Sequence, residues 1–259
     1  MRYQLKAHNT ATASANKIHD DAVATQLGFR GGLVPGVDVY AYLCHLPAER
    51  WGRSWLDRGT ITARFESPVY DGDEVEVTAA AADGGGLDLT LSDPSGARCA
   101  VARASLPDGR PLVPDATGWP SGPPPPDPPR ASAETLTGAP LGSITAGFVA
   151  DRAGEYLDGV REDLALFRLE RLAHPGWLLR MANSVLVANV TMGPWIHVES
   201  SVRFLGAVGD GDQVETRALV TGVRERKGHH FVDLDVLQLV DGRPVSQIAH
   251  TAIYRPRGT

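Results

Sequence analysis

Two stretches of this chain have helical character, the second apolar nearly all round, and each is followed by runs that read as strands. The first helical run begins at residue 37 and continues to about residue 50. The second extends from 177 to about 190 and carries Leu178, Leu179, Met181, Ala182, Val185, Leu186 and Ala188. A helix with no polar side is one enclosed by other structure. Strands are predicted after the first run at 61–65, 74–79, 87–91 and 99–106, and after the second at 197–204, 213–221, 231–239 and 245–254. Alternation is plainest in Val232-Asp233-Leu234-Asp235-Val236, where one face is apolar and the other wet.

The halves also match each other residue by residue. Residues 64–76 (RFESPVYDGDEVE) agree with 203–215 (RFLGAVGDGDQVE) at 8 of 13 positions, at an offset of 139. Pro35-Gly36 recurs as Pro175-Gly176 at almost the same offset. One Asp-Gly-Asp match would only mark a common tight turn, but two motifs in one register indicate an internal duplication. Between the halves, Pro120, Pro123-Pro124-Pro125-Pro126 and Pro128-Pro129 exclude helix and interior strand. The expected organisation is a first unit over 1–106, a Pro-rich connector over 107–135 and a second unit over 136–259. One buried helix followed by an antiparallel meander, twice over, predicts an α+β double hot-dog. Its two antiparallel sheets, each wrapped around a long central helix, are expected to join into one.

Composition narrows the function classes. With 42% hydrophobic and 22% charged residues over 259 positions, the chain is an ordinary globular protein. No apolar run approaches the roughly 18 residues that span a bilayer, and the start, Met1-Arg2-Tyr3-Gln4-Leu5-Lys6, lacks the apolar core of a signal peptide. A cytoplasmic location without membrane attachment is expected. The net charge of −6, with no concentrated basic surface, argues against nucleic-acid binding. Cys44 and Cys99 form neither a disulfide framework nor a metal site and read as buried, small apolar residues. No histidine pair has metal-ligand spacing, so no metal is expected.

Ser14-Ala15-Asn16-Lys17-Ile18-His19, followed by Gly28-Phe29 and Leu33-Val34-Pro35-Gly36-Val37, resembles the MaoC-like, (R)-specific enoyl-CoA hydratase family. The resemblance extends to Arg64-Phe65, Pro68-Val69, Gly72-Asp73 and the ending His250-Thr251-Ala252-Ile253-Tyr254. It implies a hot-dog fold and a CoA or carrier-protein thioester as ligand, with water added to or removed from the α,β-bond. No separate cofactor is implied, because CoA or phosphopantetheine belongs to the substrate. The family motif is Asp-x-Asn-Pro-Ile-His. Here Asn16, Ile18 and His19 match, Lys17 replaces the proline, and Ser14 stands where the motif has its catalytic aspartate. The stretch from His19 to Gly28 is one residue short, and Pro35 replaces a histidine.

The residues themselves point the same way. Moving a proton on or off a water oxygen near neutrality suits an imidazole, so the candidate catalytic set is His19 with Ser14 and Asn16. Ser14 can hydrogen-bond but cannot replace an ionised carboxylate as a base. The backbone amides of Gly36 and Val37, in the first turn of a helix, could bind the thioester carbonyl, although a glycine there also serves helix–sheet clearance. Asp20 or Asp21 could stand in for the missing carboxylate from a different direction, although both read as residues of a solvated face. His45 is expected to line an acyl tunnel, and Arg30, Arg64 and Arg203 are candidates for nucleotide phosphates. The duplicate has Gly159 where His19 should recur, so one active site is expected, in the first unit. A thioesterase would need a carboxylate or similar group along a helix to activate water, for which Asp38, Glu49 and Asn183 are the polar candidates. Ser14 instead favours a non-catalytic acyl-thioester-binding module. One chain could equal the dimer of single-unit relatives, as a monomeric pseudo-dimer or a homodimer.

Overall fold

The computed structural model describes residues 1–137 and 140–258; residues 138, 139 and 259, within the expected second unit, lie outside the described residues. The strands are β1 (Arg2–Lys6), β2 (Thr60–Phe65), β3 (Glu74–Ala81), β4 (Leu87–Ser92), β5 (Arg98–Ser105), β6 (Ile144–Gly147), β7 (Ile196–Phe204), β8 (Gln213–Arg226), β9 (His229–Val240) and β10 (Arg243–Arg255). They form one antiparallel sheet in the order β1-β3-β4-β5-β2-β7-β10-β9-β8-β6. The order reads identically from both ends once the second unit is mapped onto the first, which is the double hot-dog arrangement.

The duplication persists at the level of single hydrogen bonds. The bridge Leu33↔Tyr70 recurs as Leu172↔Gly209, and Val34 N to Val69 O recurs as Ala173 N to Val208 O, all at the offset of 139. Gly72 and Gly211 sit in the turns of the repeat at φ +80° and +89°, backbone that L side chains adopt only with strain. The units join through β2 and β7, where Thr62 faces Ser201 with their hydroxyls 2.8 Å apart. These two residues are 139 apart, so the pseudo-twofold axis passes between them.

Each unit wraps a helix, Gly36–Trp51 in the first and Pro175–Asn189 in the second. All residues from Val37 to Ala48 are buried, and a fully buried Leu43 or Leu46 contributes roughly 1.5–3 kcal/mol. The two central helices pack against each other. At Gly176 an added Cβ would stand 2.5 Å from the Tyr156 hydroxyl and 2.8 Å from Ala41 Cβ. Gly176→Ala is therefore expected to destabilise the chain by about 1–3 kcal/mol through overpacking, read as a lower denaturant midpoint at unchanged slope.

The edge strands β1 and β6 were not among the predicted elements. In β1 only Leu5 is buried, and β6 has four residues, so neither carries enough apolar alternation to stand out. The Pro-rich connector folds back over the second unit: Trp119 Nε1 donates to Asp235 O on β9 at 3.0 Å, and Ala131 N donates to Thr191 O at 2.9 Å. Both cysteines are free and buried. Among the described residues no helix is long and apolar enough to cross a membrane.

Candidate active site

The loop after β1 lies across the amino end of the first central helix and meets the start of β7 from the second unit. Together they enclose a cavity of about 830 Å³, within the range of small-molecule sites. Its wall is mainly apolar, with Phe29, Val34, Val39, Phe65, Trp195 and Ile253 contributing. Ser14, Asn16, His19, Gly36 and Val37 all line it.

His19 ends a short 3₁₀ turn, Lys17–His19, whose N-cap is Asn16. Its Nδ1 lies 2.7 Å from Leu33 O. A carbonyl only accepts, so Nδ1 carries the proton and neutral His19 keeps its lone pair on Nε2. Consistent with that, the Asn16 side-chain amide nitrogen faces Nε2 at 3.4 Å. Burial lowers the imidazole pKa, against the opposing influences of the Leu33 bond and Asp38. The ring is therefore a neutral base at neutral pH.

Asn16 does more than cap. Its Nδ2 donates to Trp195 O at 3.0 Å and its Oδ1 accepts from Trp195 N at 3.2 Å, fastening the His19 loop to the second unit. Ser14 Oγ accepts from Asn16 N at 3.1 Å and so shapes the turn. The amides of Gly36 and Val37 find no acceptor among the described residues, while those of Asp38 and Val39 already bond Pro35 O. The close approach expected at Gly36 is present as well: a Cβ there would lie 3.0 Å from both Cβ and Nδ1 of His197.

Several candidates lie elsewhere. Asp20 caps the helix Asp21–Gln26, and Asp21 accepts from Gly32 N at 2.7 Å. His45 does not reach the cavity: nine residues beyond Gly36, at 100° per residue, it projects from the opposite side of the helix. There it stacks on Tyr3 at 3.6 Å and contacts Glu162 Oε1 through Nδ1 at 2.9 Å. Arg64 alternates outward from buried Ile61 and Ala63 and pairs with Glu66. Arg30 bonds both Asp73 oxygens at 2.7 Å over the Tyr70 ring, and Arg203 donates to Gln247. None of His45, Arg30, Arg64 and Arg203 lines the cavity.

Other cavity residues escaped the sequence reading. Arg180, on the second central helix, holds fully buried Asp38 at 2.6 Å, and Asp38 also accepts from Thr10 at 2.5 Å. His197, at the start of β7, contributes to the wall beside Gly36. The sequence marks it only as one of eight histidines and as the first residue of the strand expected at 197–204.

No family model matches the sequence, and no curated protein matches it in a sequence search. Solved structures do match. A MaoC-domain protein from Chloroflexus aurantiacus, provisionally assigned as a dehydratase, superposes at a TM-score of 0.62 and 12% identity, covering 99% of this chain and 94% of that one. A Mycobacterium tuberculosis protein described as a double hot-dog gives 0.61 and 14%, with 98% and 95% covered. A protein from Novosphingobium aromaticivorans provisionally assigned as a thioesterase gives 0.54 and 15%, with 98% and 96% covered. The shared feature is the fold, a double hot-dog over nearly the whole of each chain.

Proposed function

We propose that this chain is an acyl-thioester hydro-lyase of the MaoC-like type, acting as a 2-enoyl-thioester hydratase or, in reverse, a 3-hydroxyacyl-thioester dehydratase. The observation that carries the reading is the Nε2 lone pair of His19 in an apolar cavity that also presents the Gly36 and Val37 amides. In the hydration direction, Nε2 takes a proton from water as the water oxygen bonds to C3. The C2=C3 electron pair moves to C2 and onto the thioester oxygen, where the two amides and the positive end of the helix stabilise the developing charge. His19 then returns the proton to C2, regenerating the neutral ring. A single imidazole handles both proton transfers, so Ser14 has no proton to move; it holds the turn that presents Asn16 and His19.

Hydrolysis of the thioester is the less favoured reading, because the cavity offers no unengaged carboxylate among the described residues. Glu66 at the rim is held by Arg64 and Arg98, and Asp38 by Arg180 and Thr10. The substrate is an acyl group on CoA or on carrier-protein phosphopantetheine.

The decisive test incubates the chain with short and medium 2-enoyl-CoAs while following the conjugated enoyl-thioester absorbance and free thiol together. Loss of the band without thiol is the expected result. Release of thiol would replace the lyase by a thioesterase, and neither change, with ligand retained, would make the chain a binding module.

A further inference from the structure

β7 contains a bulge. Its pairing with β10 runs Ser200↔His250 and Glu199↔Thr251, then skips to His197↔Ala252, so Val198 is an extra residue. The inward positions of the strand consequently fall at His197, Ser200, Val202 and Phe204, and the regular two-residue alternation holds only beyond the bulge. A bulge re-aims side chains. Here it turns His197, 6% exposed, into the cavity wall against Gly36, with its ring tilted at 58° against that of Phe65.

His197 is the end of a chain of polar groups. Its Nε2 lies 2.8 Å from Ser200 Oγ, which lies 2.9 Å from His250 Nδ1. The first unit has nothing comparable: at the offset of 139 Ser200 corresponds to Ile61, and the β5 partner of Ile61, in the place of His250, is Ala104, both fully buried apolar residues. The second unit has thus exchanged two apolar core residues for Ser200 and His250, and His197 Nδ1 has no hydrogen-bond partner. Leaving a polar atom buried and unsatisfied is unfavourable, so a partner supplied by a ligand would answer it.

We propose that neutral His197 is a catalytic residue whose Nδ1–H joins the Gly36 and Val37 amides in holding the ligand's thioester carbonyl, with Ser200 and His250 as positioning residues that fix its tautomer. Ser200 Oγ can pass its proton toward either ring; in the order the proposal requires, His250 Nδ1–H donates to Ser200 Oγ, Ser200 donates to His197 Nε2, the remaining proton of His197 is on Nδ1, and His250 Nε2, likewise without a partner, keeps a lone pair. Burial keeps both imidazoles uncharged: it pushes His197 well below its usual pKa, with His250 adding to the effect and the Glu199 backbone opposing it, and it lowers His250 to about 4. A neutral imidazole donates without giving up its proton, so no net transfer to the substrate is needed. The inference rests on the acyl-thioester reading above and adds a second-unit residue to that site.

The test uses His197→Phe, which keeps the ring, and Ser200→Ala, which removes only the tautomer constraint. Two readouts are made on the intact chain: hydration of a short 2-enoyl-CoA, and the carbonyl stretch of a bound dethia-acyl-CoA, whose ketone replaces the thioester carbonyl. His197→Phe is expected to lower kcat about a hundredfold with little change in KM, and to abolish the red shift that the wild-type site imposes on the carbonyl. Ser200→Ala should move the stretch part of the way, and it decides the matter where the phenylalanine variant does not fold. An unchanged stretch and kcat in the variants overturns the inference while leaving the hydratase reading standing. A His197-dependent shift without turnover supports the inference and removes the lyase reading. A wild-type chain that binds no acyl-CoA analogue overturns both.

Discussion

His19→Ala is expected to lose at least about a hundredfold in kcat/KM for enoyl-thioester hydration, the usual consequence of removing a general acid–base group, while its thermal transition barely moves. The fold tolerates the change because His19 makes one strong contact, the 2.7 Å bond to Leu33 O, and the loop stays fastened by Asn16 to the Trp195 backbone. The wild-type pH profile carries the same information. Because burial lowers the His19 pKa below 6.5, the base form persists to lower pH, and the acid limb of kcat/KM should fall below pH 6.5 and be absent from the residual activity of the variant. A loss under about tenfold would show that another group supplies the base.

The site divides unevenly between what sequence shows and what it hides. Ser14, Asn16, His19, Gly36 and Val37 lie within 24 residues of one another, and all reach the cavity. Their grouping is local, so a motif can carry it. Trp195, His197 and Arg180 come from the second unit, more than 140 residues away along the chain, and reach the same cavity only through the pairing of β2 with β7 and the packing of the two central helices. His197 is hidden further by the bulge at Val198. Counted by strict alternation, His197 and Ser200 would face opposite sides of β7, yet they bond each other.

The fold was more legible because its signals repeat. Twelve buried residues in one helix, two turns at a common offset and an alternating β9 each constrain the same architecture. Asp38 illustrates where that kind of reading ends. A carboxylate in the first turn of a helix suggests a solvent-facing or dipole-stabilised group, but the neighbouring helix supplies the partly exposed Arg180, and fully buried Asp38 becomes one end of a tie between the units. His45 fails for the opposite reason, since its angular position on the helix was available from the sequence and points away from Gly36.

The partner of His45 leads to the second large effect, on stability. Glu162 is buried with its carboxylate between two histidines: Oε1 meets His45 Nδ1 at 2.9 Å and accepts from Leu164 N at 2.8 Å, and Oε2 meets His174 Nε2 at 3.3 Å. His174 Nδ1 accepts from Gly176 N, so His174 Nε2 carries a proton and donates to the carboxylate. Burial alone would raise the Glu162 pKa, but the bonds from His174 and His45 outweigh it and hold the group down to about 2. A carboxyl depressed from 4.5 to about 2 contributes up to about 3 kcal/mol of stability. That contribution is complete above the unfolded value of 4.5 and is lost as pH falls toward 2. Glu162→Gln sets an amide against the His174 N–H and is expected to destabilise the chain by about 2–3 kcal/mol at neutral pH. Urea unfolding of both chains from pH 7 to pH 3 checks the cause: the gap in unfolding free energy should hold near neutrality and narrow below about pH 4.5, because only the wild type has this ionisation to lose. A gap that stays constant down to pH 3 would assign the loss to packing and hydrogen-bond geometry, with the buried charge contributing nothing.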